Sequence, residues 1–473
     1  MEKSEFGVAG LGVMGSNIAL NLADKGVKVS VFNRLSKGKK NAVEAFLGGE
    51  GGDKKISGFT NLKDFAQSLE SPRKILLMVK AGEAVDEMLE GLMPFLSRGD
   101  IVIDGGNSNF NDTARRLAEL EGSGILFVGA GISGGEEGAR NGASIMPGGN
   151  EKAWAEIKPY LQKIAAKLPN GDPCCEWIGG GASGHFVKTI HNGIEYADMQ
   201  MIAEIYQVMR KSGKFSNVEM ADVFEKFNRG KLESFLIEIT AKILRRKDES
   251  GRFSLDLILD AAGQKGTGKW SVESGAELGS PVSCIAEALF ARFVSGRVEM
   301  RKSGSRIFGS KCKFNMPRDV MGAVLENALY AAKIIAYAQG FSILSDASKK
   351  FGWNLNLGEI AKIWRGGCII RAKFLDRVTE AFSADGSLEN LLFDGFFAEE
   401  IRANVNSLRE VASLAAQGGV SMPASFSALA YFDSARQAES PSNLIQAQRD
   451  FFGAHTYERT DAPRGEFFHT KWE

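Results

Sequence analysis

The chain has 473 residues, with 58 basic and 58 acidic side chains and no formal net charge. That length exceeds what one core supports and implies two or three domains, and the charge balance argues against a general nucleic-acid binder, so any anionic ligand is held by local clusters of positive charge. A composition of 44% hydrophobic and 25% charged residues belongs to a soluble globular class, and no run approaches the ~18 uninterrupted apolar residues of a membrane-crossing helix.

The opening Met1-Glu2-Lys3-Ser4-Glu5 leads straight into an apolar strand, without the layout of a signal peptide, so a cytoplasmic location is expected. The first third then alternates strand and helix patterns. Glu5–Ala9 is short and apolar, and Val27–Asn33 alternates as a strand does. Lys74–Lys80, Ile101–Asp104 and Ile125–Val128 are continuous apolar runs suited to strands buried on both faces. Helix-period stretches such as Asn17–Asp24 and Ala84–Leu96 lie between them. This alternation predicts βαβ units and a parallel sheet over residues 1–180, ending at Gly179-Gly180-Gly181.

Long helical patterns follow, at Thr189–Met209, Leu232–Arg245, Val282–Phe293 and Leu325–Ala338, and predict a large all-α domain over residues 181–440. Residues 441–473 form a tail carrying Phe451, Phe452, Tyr457, Phe467, Phe468 and Trp472. Disordered tails are poor in aromatics, so this one is expected to dock, either on its own body or on a second subunit. The cysteines, Cys174, Cys175, Cys284, Cys312 and Cys368, form no CxxC and fit free thiols in a reducing compartment. No histidine pairs with another His or a Cys at metal-ligand spacing, so no metal is expected.

Gly10-Leu11-Gly12-Val13-Met14-Gly15 follows the first strand and opens a helix, which is the context a dinucleotide fingerprint requires. Gly10 permits the tight turn, Gly12 lets the backbone approach a pyrophosphate, and Gly15 allows close helix–strand packing. The helix N-terminus faces the phosphates. The first domain is therefore expected to be α/β and Rossmann-type. An NAD site usually places Asp or Glu at the end of the second strand. Here the chain reads Phe32-Asn33-Arg34-Leu35, followed by Lys37, Lys39 and Lys40. A guanidinium binds a 2′-phosphate that a carboxylate would repel, so NADP is favoured over NAD. The lysines also suit a plain solvated loop. Val79-Lys80-Ala81 and Gly105-Gly106-Asn107-Ser108 leave strand ends on the same side of the sheet, where open α/β sheets bind ligands. Asn107 is thus a contact for nicotinamide and substrate, and Ser133-Gly134-Gly135 offers a hydroxyl and backbone N–H groups to an anion.

In the first helix of the all-α region, Lys188, His191, Asn192, Glu195 and Tyr196 stand at i, i+3, i+4, i+7 and i+8, on one face. Such a stripe is ordinarily the solvated side of an amphipathic helix. This one combines a base, an acid and hydrogen-bonding groups. Oxidation of an alcohol needs a base for the hydroxyl proton, and a following decarboxylation leaves an enol that needs a proton on carbon; Lys188 and Glu195 can supply these. Gly263-Gln264-Lys265-Gly266-Thr267-Gly268-Lys269-Trp270 imitates an ATP phosphate loop. It has Trp270 where magnesium needs Ser or Thr, and no strand precedes it. Lys265 can still contact an anionic substrate.

The segments VKAGEAVD, IDGGNSN, GISGGEEGAR, MPGGN, GHFVKTIHNGIEY, AGQKGTGKW, WRGGCIIR and NLIQAQRDFFGAHTYER resemble the 6-phosphogluconate dehydrogenases, from Phe6 to Trp472. The resemblance implies a metal-independent, NADP-dependent oxidative decarboxylation of 6-phosphogluconate to ribulose 5-phosphate, a step of the pentose phosphate pathway. It implies that Lys188 is the base for the C3 hydroxyl and that Glu195 protonates C1 of the enediol. Implied substrate contacts are Asn107, Ser133, Gly134, Gly135, His191, Asn192, Tyr196, Lys265 and Arg292. Arg449 and His455 would come from the tail, which in the family reaches into the partner subunit of a homodimer. The cationic residues Lys265, Arg292 and Arg449 are expected to depress the Lys188 pKa. Two departures stand out. Gly12 replaces the family's usual Ala, and Leu35 replaces its Thr, losing a hydroxyl near the 2′-phosphate that Ser36 can replace. A β-hydroxyacid dehydrogenase acting on a substrate such as 3-hydroxyisobutyrate shares the fingerprint and the lysine but resembles this chain only through the first helices. A non-catalytic NADP sensor would have no need of Lys188 and Glu195.

Overall fold

The computed structural model describes residues 2–35, 38, 40–309 and 316–473. Ser36, Lys37, Lys39 and Cys312, named above, lie outside the described residues. Eight strands form one sheet: β1 (Phe6–Ala9), β2 (Val29–Phe32), β3 (Ile56–Phe59), β4 (Lys74–Leu77), β5 (Ile101–Asp104), β6 (Leu126–Ser133), β7 (Ser144–Gly149) and β8 (Gly179–Gly180). Their order is β3-β2-β1-β4-β5-β6-β7-β8, parallel throughout except where β7 runs antiparallel to β6. Strands β1, β2, β4 and β5 are wholly buried, as their continuous apolar runs require. The order reverses between β1 and β4, and such a switch point opens a crevice at the strands' carboxyl ends.

Two strand boundaries differ from the sequence reading. The apolar run Lys74–Lys80 leaves the sheet after Leu77, so Met78, Val79 and Lys80 form a loop at the crevice. The run Ile125–Val128 instead continues as strand to Ser133, through glycines that read locally as a turn. Pairing with β7, from Val128↔Gly149 to Ser133↔Ser144, supplies the hydrogen bonds that hold it extended. Strand β7 itself reads Ser-Ile-Met-Pro-Gly-Gly, a composition of turns rather than strands.

The rest is helical. The Ser183–Ser212 helix leaves the sheet just after β8 and packs against β6 and β7. The 34-residue Arg318–Phe351 helix runs through the centre of the helical region and packs on the Ser183–Ser212 helix and on the Gly395–Gly418 helix. It is long and apolar enough to cross a membrane by those measures alone, but 67% of its most apolar stretch is buried inside the protein. It also carries Lys333, fully buried and 3.0 Å from the equally buried Asp198. Cys174, Cys175, Cys284 and Cys368 are buried free thiols.

Among the described residues the aromatic contacts of the tail lie within the tail itself, Phe451 on Trp472 and Phe452 on His455. Its Ser442–Gly453 helix and the bridge between Tyr457 and Phe468 close around Asp450, whose carboxylate accepts hydrogen bonds from Thr456 N, His469 Nδ1, Thr470 N and Trp472 Nε1 at 2.9–3.1 Å. Phe452 and Phe467 are left 73% and 67% exposed.

Candidate active site

The fingerprint loop has the geometry its glycines allow. Gly10 takes a φ of 105°, and a β-carbon at Gly15 would lie 1.9 Å from the Gly10 carbonyl oxygen, so only glycine lets the Val13–Asp24 helix start against β1. A β-carbon at Gly12 would meet no protein atom within 4 Å; the space above it belongs to the crevice. Leu11 N donates to Asn33 Oδ1 at 3.0 Å, tying this loop to the end of β2.

Two adjoining clefts share Gly12, Met78, Val79 and Lys80. The larger, about 670 Å³, runs past Val13, Met14, Gly15, Ala81 and Asn107 to Lys265 and Trp270. The smaller, about 380 Å³, ends at Asn33, Arg34 and Glu87, and Arg34 Nη1 donates to Glu87 Oε2 at 2.7 Å. Leu35 is exposed beside them. The Asn107 loop is held from below by Asp104. Its Oδ1 accepts from Gly106 N at 3.0 Å and its Oδ2 from Ser108 Oγ at 2.6 Å, with the buried Arg116 guanidinium 3.6 Å away.

The polar stripe is not solvated. Lys188 and Tyr196 are each 6% exposed and His191 is fully buried. The helix can lie this close because glycines face it: a β-carbon at Gly131 would stand 2.3 Å from Lys188 Cβ, and one at Gly184 would stand 2.2 Å from the Gly129 carbonyl oxygen. Lys188 Nζ donates to Asn192 Oδ1 at 2.9 Å, and His191 Nδ1 lies 3.0 Å from the same oxygen. The tautomer that serves both His191 contacts carries its proton on Nδ1, leaving Nε2 to accept from Ser133 Oγ at 3.3 Å. Glu195 Oε2 is 3.9 Å from His191 Nδ1.

Burial sets the charges here. It pulls the Lys188 amine below the ordinary lysine range, against the opposing pull of Glu195 and Cys368. It pushes the Glu195 carboxyl above the ordinary range, against Lys188 and Arg292. Burial, reinforced by Lys188, holds His191 neutral. The sequence reading assigns the depressed lysine to cationic neighbours. In the structure desolvation acts first, and the charge facing the amine is the acidic Glu195.

Arg292 stacks on Tyr196, its guanidinium 3.5 Å from the ring centroid, and donates to the Gly263 carbonyl oxygen at 3.0 Å. Gly134 and Gly135 follow β6 with φ of 117° and 62°, the first packed against the Gly367 carbonyl oxygen. Arg449 and His455 are not brought to this site by their own chain; both are exposed on the tail, Arg449 bonded to Gln446 and His455 against Phe452. The sequence assigned several site residues no role: Met78, Ile132 and Trp270 line the larger cleft, and Trp364 packs edge-on against the His191 ring at 5.4 Å. Among the described residues no three His, Cys, Asp or Glu side chains gather as a metal site.

Comparison with known proteins bears on this geometry. Residues 5–179 match the NAD binding domain of 6-phosphogluconate dehydrogenase, and residues 184–472 match the 6-phosphogluconate dehydrogenase C-terminal domain. The chain is 50% identical to the 6-phosphogluconate dehydrogenase, decarboxylating, of Schizosaccharomyces pombe, over 96% of this chain and 92% of that one. It is 50% identical to the rat protein of the same name, over 100% of this chain and 97% of that one. The Plasmodium falciparum 6-phosphogluconate dehydrogenase, solved in its apo form and in complex with its cofactor NADP+ and with its substrate 6-phosphogluconate, superimposes with a TM-score of 0.94 at 41% identity, covering 99% of this chain and 100% of that one.

Proposed function

The chain belongs to the 6-phosphogluconate dehydrogenase family, and from that premise we propose that it oxidises and decarboxylates 6-phosphogluconate with NADP, Lys188 and Glu195 moving the protons. The observation that carries the assignment is the hydrogen-bonded chain Lys188–Asn192–His191–Ser133, largely buried, with Glu195 one turn on, beside the fingerprint cleft.

The residues present suit NADP. Gly10, Leu11, Gly12, Val13, Met14 and Gly15 would hold the pyrophosphate, Asn33 and Arg34 the adenosine end with its 2′-phosphate, and Val79, Lys80, Ala81 and Asn107 the nicotinamide end. When bound, NADP supplies the acceptor for the substrate's hydride. Lys188, its amine pulled below the ordinary lysine range by burial, acts in its unprotonated form to take the proton of the C3 hydroxyl. Its ammonium then hydrogen-bonds the oxygen that turns enolate as carbon dioxide leaves the β-keto acid. Glu195, biased toward its protonated form, delivers a proton to C1 of the enediol, which gives ribulose 5-phosphate. Asn192 orients the amine, and His191 with Ser133 offers hydrogen bonds to substrate hydroxyls. Gly134, Gly135, Tyr196, Lys265 and Arg292 complete the binding surface.

The exposed aromatics of residues 441–473 support a homodimer whose tail lies on the partner, bringing Arg449 and His455 to the partner's site, with residues 181–440 forming the dimer body. The four described thiols, all free, support a reducing, cytoplasmic setting. Phosphate dependence tests the substrate assignment. Purified protein should reduce NADP with 6-phosphogluconate and not with gluconate or 3-hydroxyisobutyrate at equal concentration; the reverse preference would defeat it.

A further inference from the structure

The adenosine end of the cleft contains a carboxylate that the fingerprint gives no reason to expect. Glu87 lies on the Glu83–Leu92 helix, which follows β4, 53 residues from Arg34 in sequence. Its Oε2 sits 2.7 Å from Arg34 Nη1, and the two side chains are 50% and 69% exposed, so the pair is open to solvent and to a ligand. Both line the same cleft, where Lys80 is the other cationic residue among the described ones. Leu35, next to Arg34, offers no hydroxyl or charge.

We propose that Glu87 is a specificity-determining residue that works against Arg34, loosening NADP and narrowing its preference over NAD. The inference rests on the reading of Arg34 as the 2′-phosphate ligand. A 2′-phosphate, a dianion, competes with Glu87 for the Arg34 Nη1 donor that Glu87 engages, and it meets the negative charge of Glu87 as well. A ribose 2′-hydroxyl suffers neither cost and can itself donate to a carboxylate, the role Asp or Glu at the end of the second strand plays in NAD sites. Here the carboxylate arrives from a different strand's helix.

Dissociation constants for NADP and NAD on the full chain test this, in the parent protein and in Glu87→Gln, Arg34→Ala and the double variant. Glu87→Gln should tighten NADP about two- to fivefold, the scale of an exposed charge pair, and leave NAD unchanged or weaker. The gain should shrink as ionic strength rises past about 0.15 M and be smaller in the Arg34→Ala background. Unchanged NADP binding, an equal change for both cofactors, or weaker NADP binding would overturn the proposal, the last by making Glu87 a group that holds Arg34 in place. If Arg34→Ala alone leaves the NADP preference intact, the reading of Arg34 itself fails, whatever Glu87 does.

Discussion

The side chain of Lys188 lies directly against Gly131 of β6: a β-carbon on that glycine would fall 2.3 Å from Lys188 Cβ and 2.7 Å from its Cγ. The proposed base is therefore positioned by the absence of a side chain on the facing strand. Gly131→Ala should displace Lys188 from Asn192, destabilise the fold by about 1–3 kcal/mol as overpacking does, and lower kcat while NADP binding persists. Thermal unfolding, turnover and an NADP titration on one preparation check this. Full turnover would mean the helix shifts freely over the strand.

Lys188→Ala should abolish oxidation and, with it, release of carbon dioxide, by at least about a hundredfold. NADP binding should survive, because the lysine is not part of the cofactor clefts. Stopped-flow absorbance for the hydride step and equilibrium binding for NADP separate the two effects.

The pH profile follows from the two displaced pKa values. Lys188 acts without its proton, so the rate rises with pH through its pKa, and burial brings that value below the ordinary 10.5. Glu195 acts with its proton, so the rate falls as pH rises through a value that burial lifts above 4.5. The two groups interact, so the limbs of the bell belong to the pair. Glu195→Gln carries a permanently neutral amide. Its residual rate should be lower by about a hundredfold or more and should hold level at high pH where the parent declines. A descending limb unchanged in that variant would assign it to another group.

How far the sequence foretold this site depends on range. The fingerprint loop and the stripe from Lys188 to Tyr196 were legible because the relevant spacing is local: a turn of glycines and a helical period. The stripe's burial was not, since polar residues at helical spacing read as a solvated face. What buries it is Gly131 and Gly184, whose function is to be small against a distant element. Strand β7 was illegible because its Pro147, Gly148 and Gly149 are turn residues held extended by β6. The Arg34–Glu87 pair joins residues whose neighbourhood only the sheet order creates.

Removal of residues after Glu439 should leave the body folded and inactive. The tail makes its hydrogen bonds largely to itself around Asp450 and leaves its aromatics exposed. Circular dichroism, sedimentation and turnover on the truncated chain test this; native turnover would remove Arg449 and His455 from the site. Under the proposed shared site, mixing Lys188→Ala chains with His455→Ala chains should restore part of the activity, since a mixed dimer would have one site with both residues intact.

A single site that both oxidises and decarboxylates must yield one carbon dioxide for each NADPH. The direct measurement is to supply 6-phosphogluconate and NADP and follow NADPH absorbance and carbon dioxide together to completion. Equal yields of the two are expected. NADPH without carbon dioxide would contradict this and leave a plain dehydrogenase, with no enediol for Glu195 to protonate.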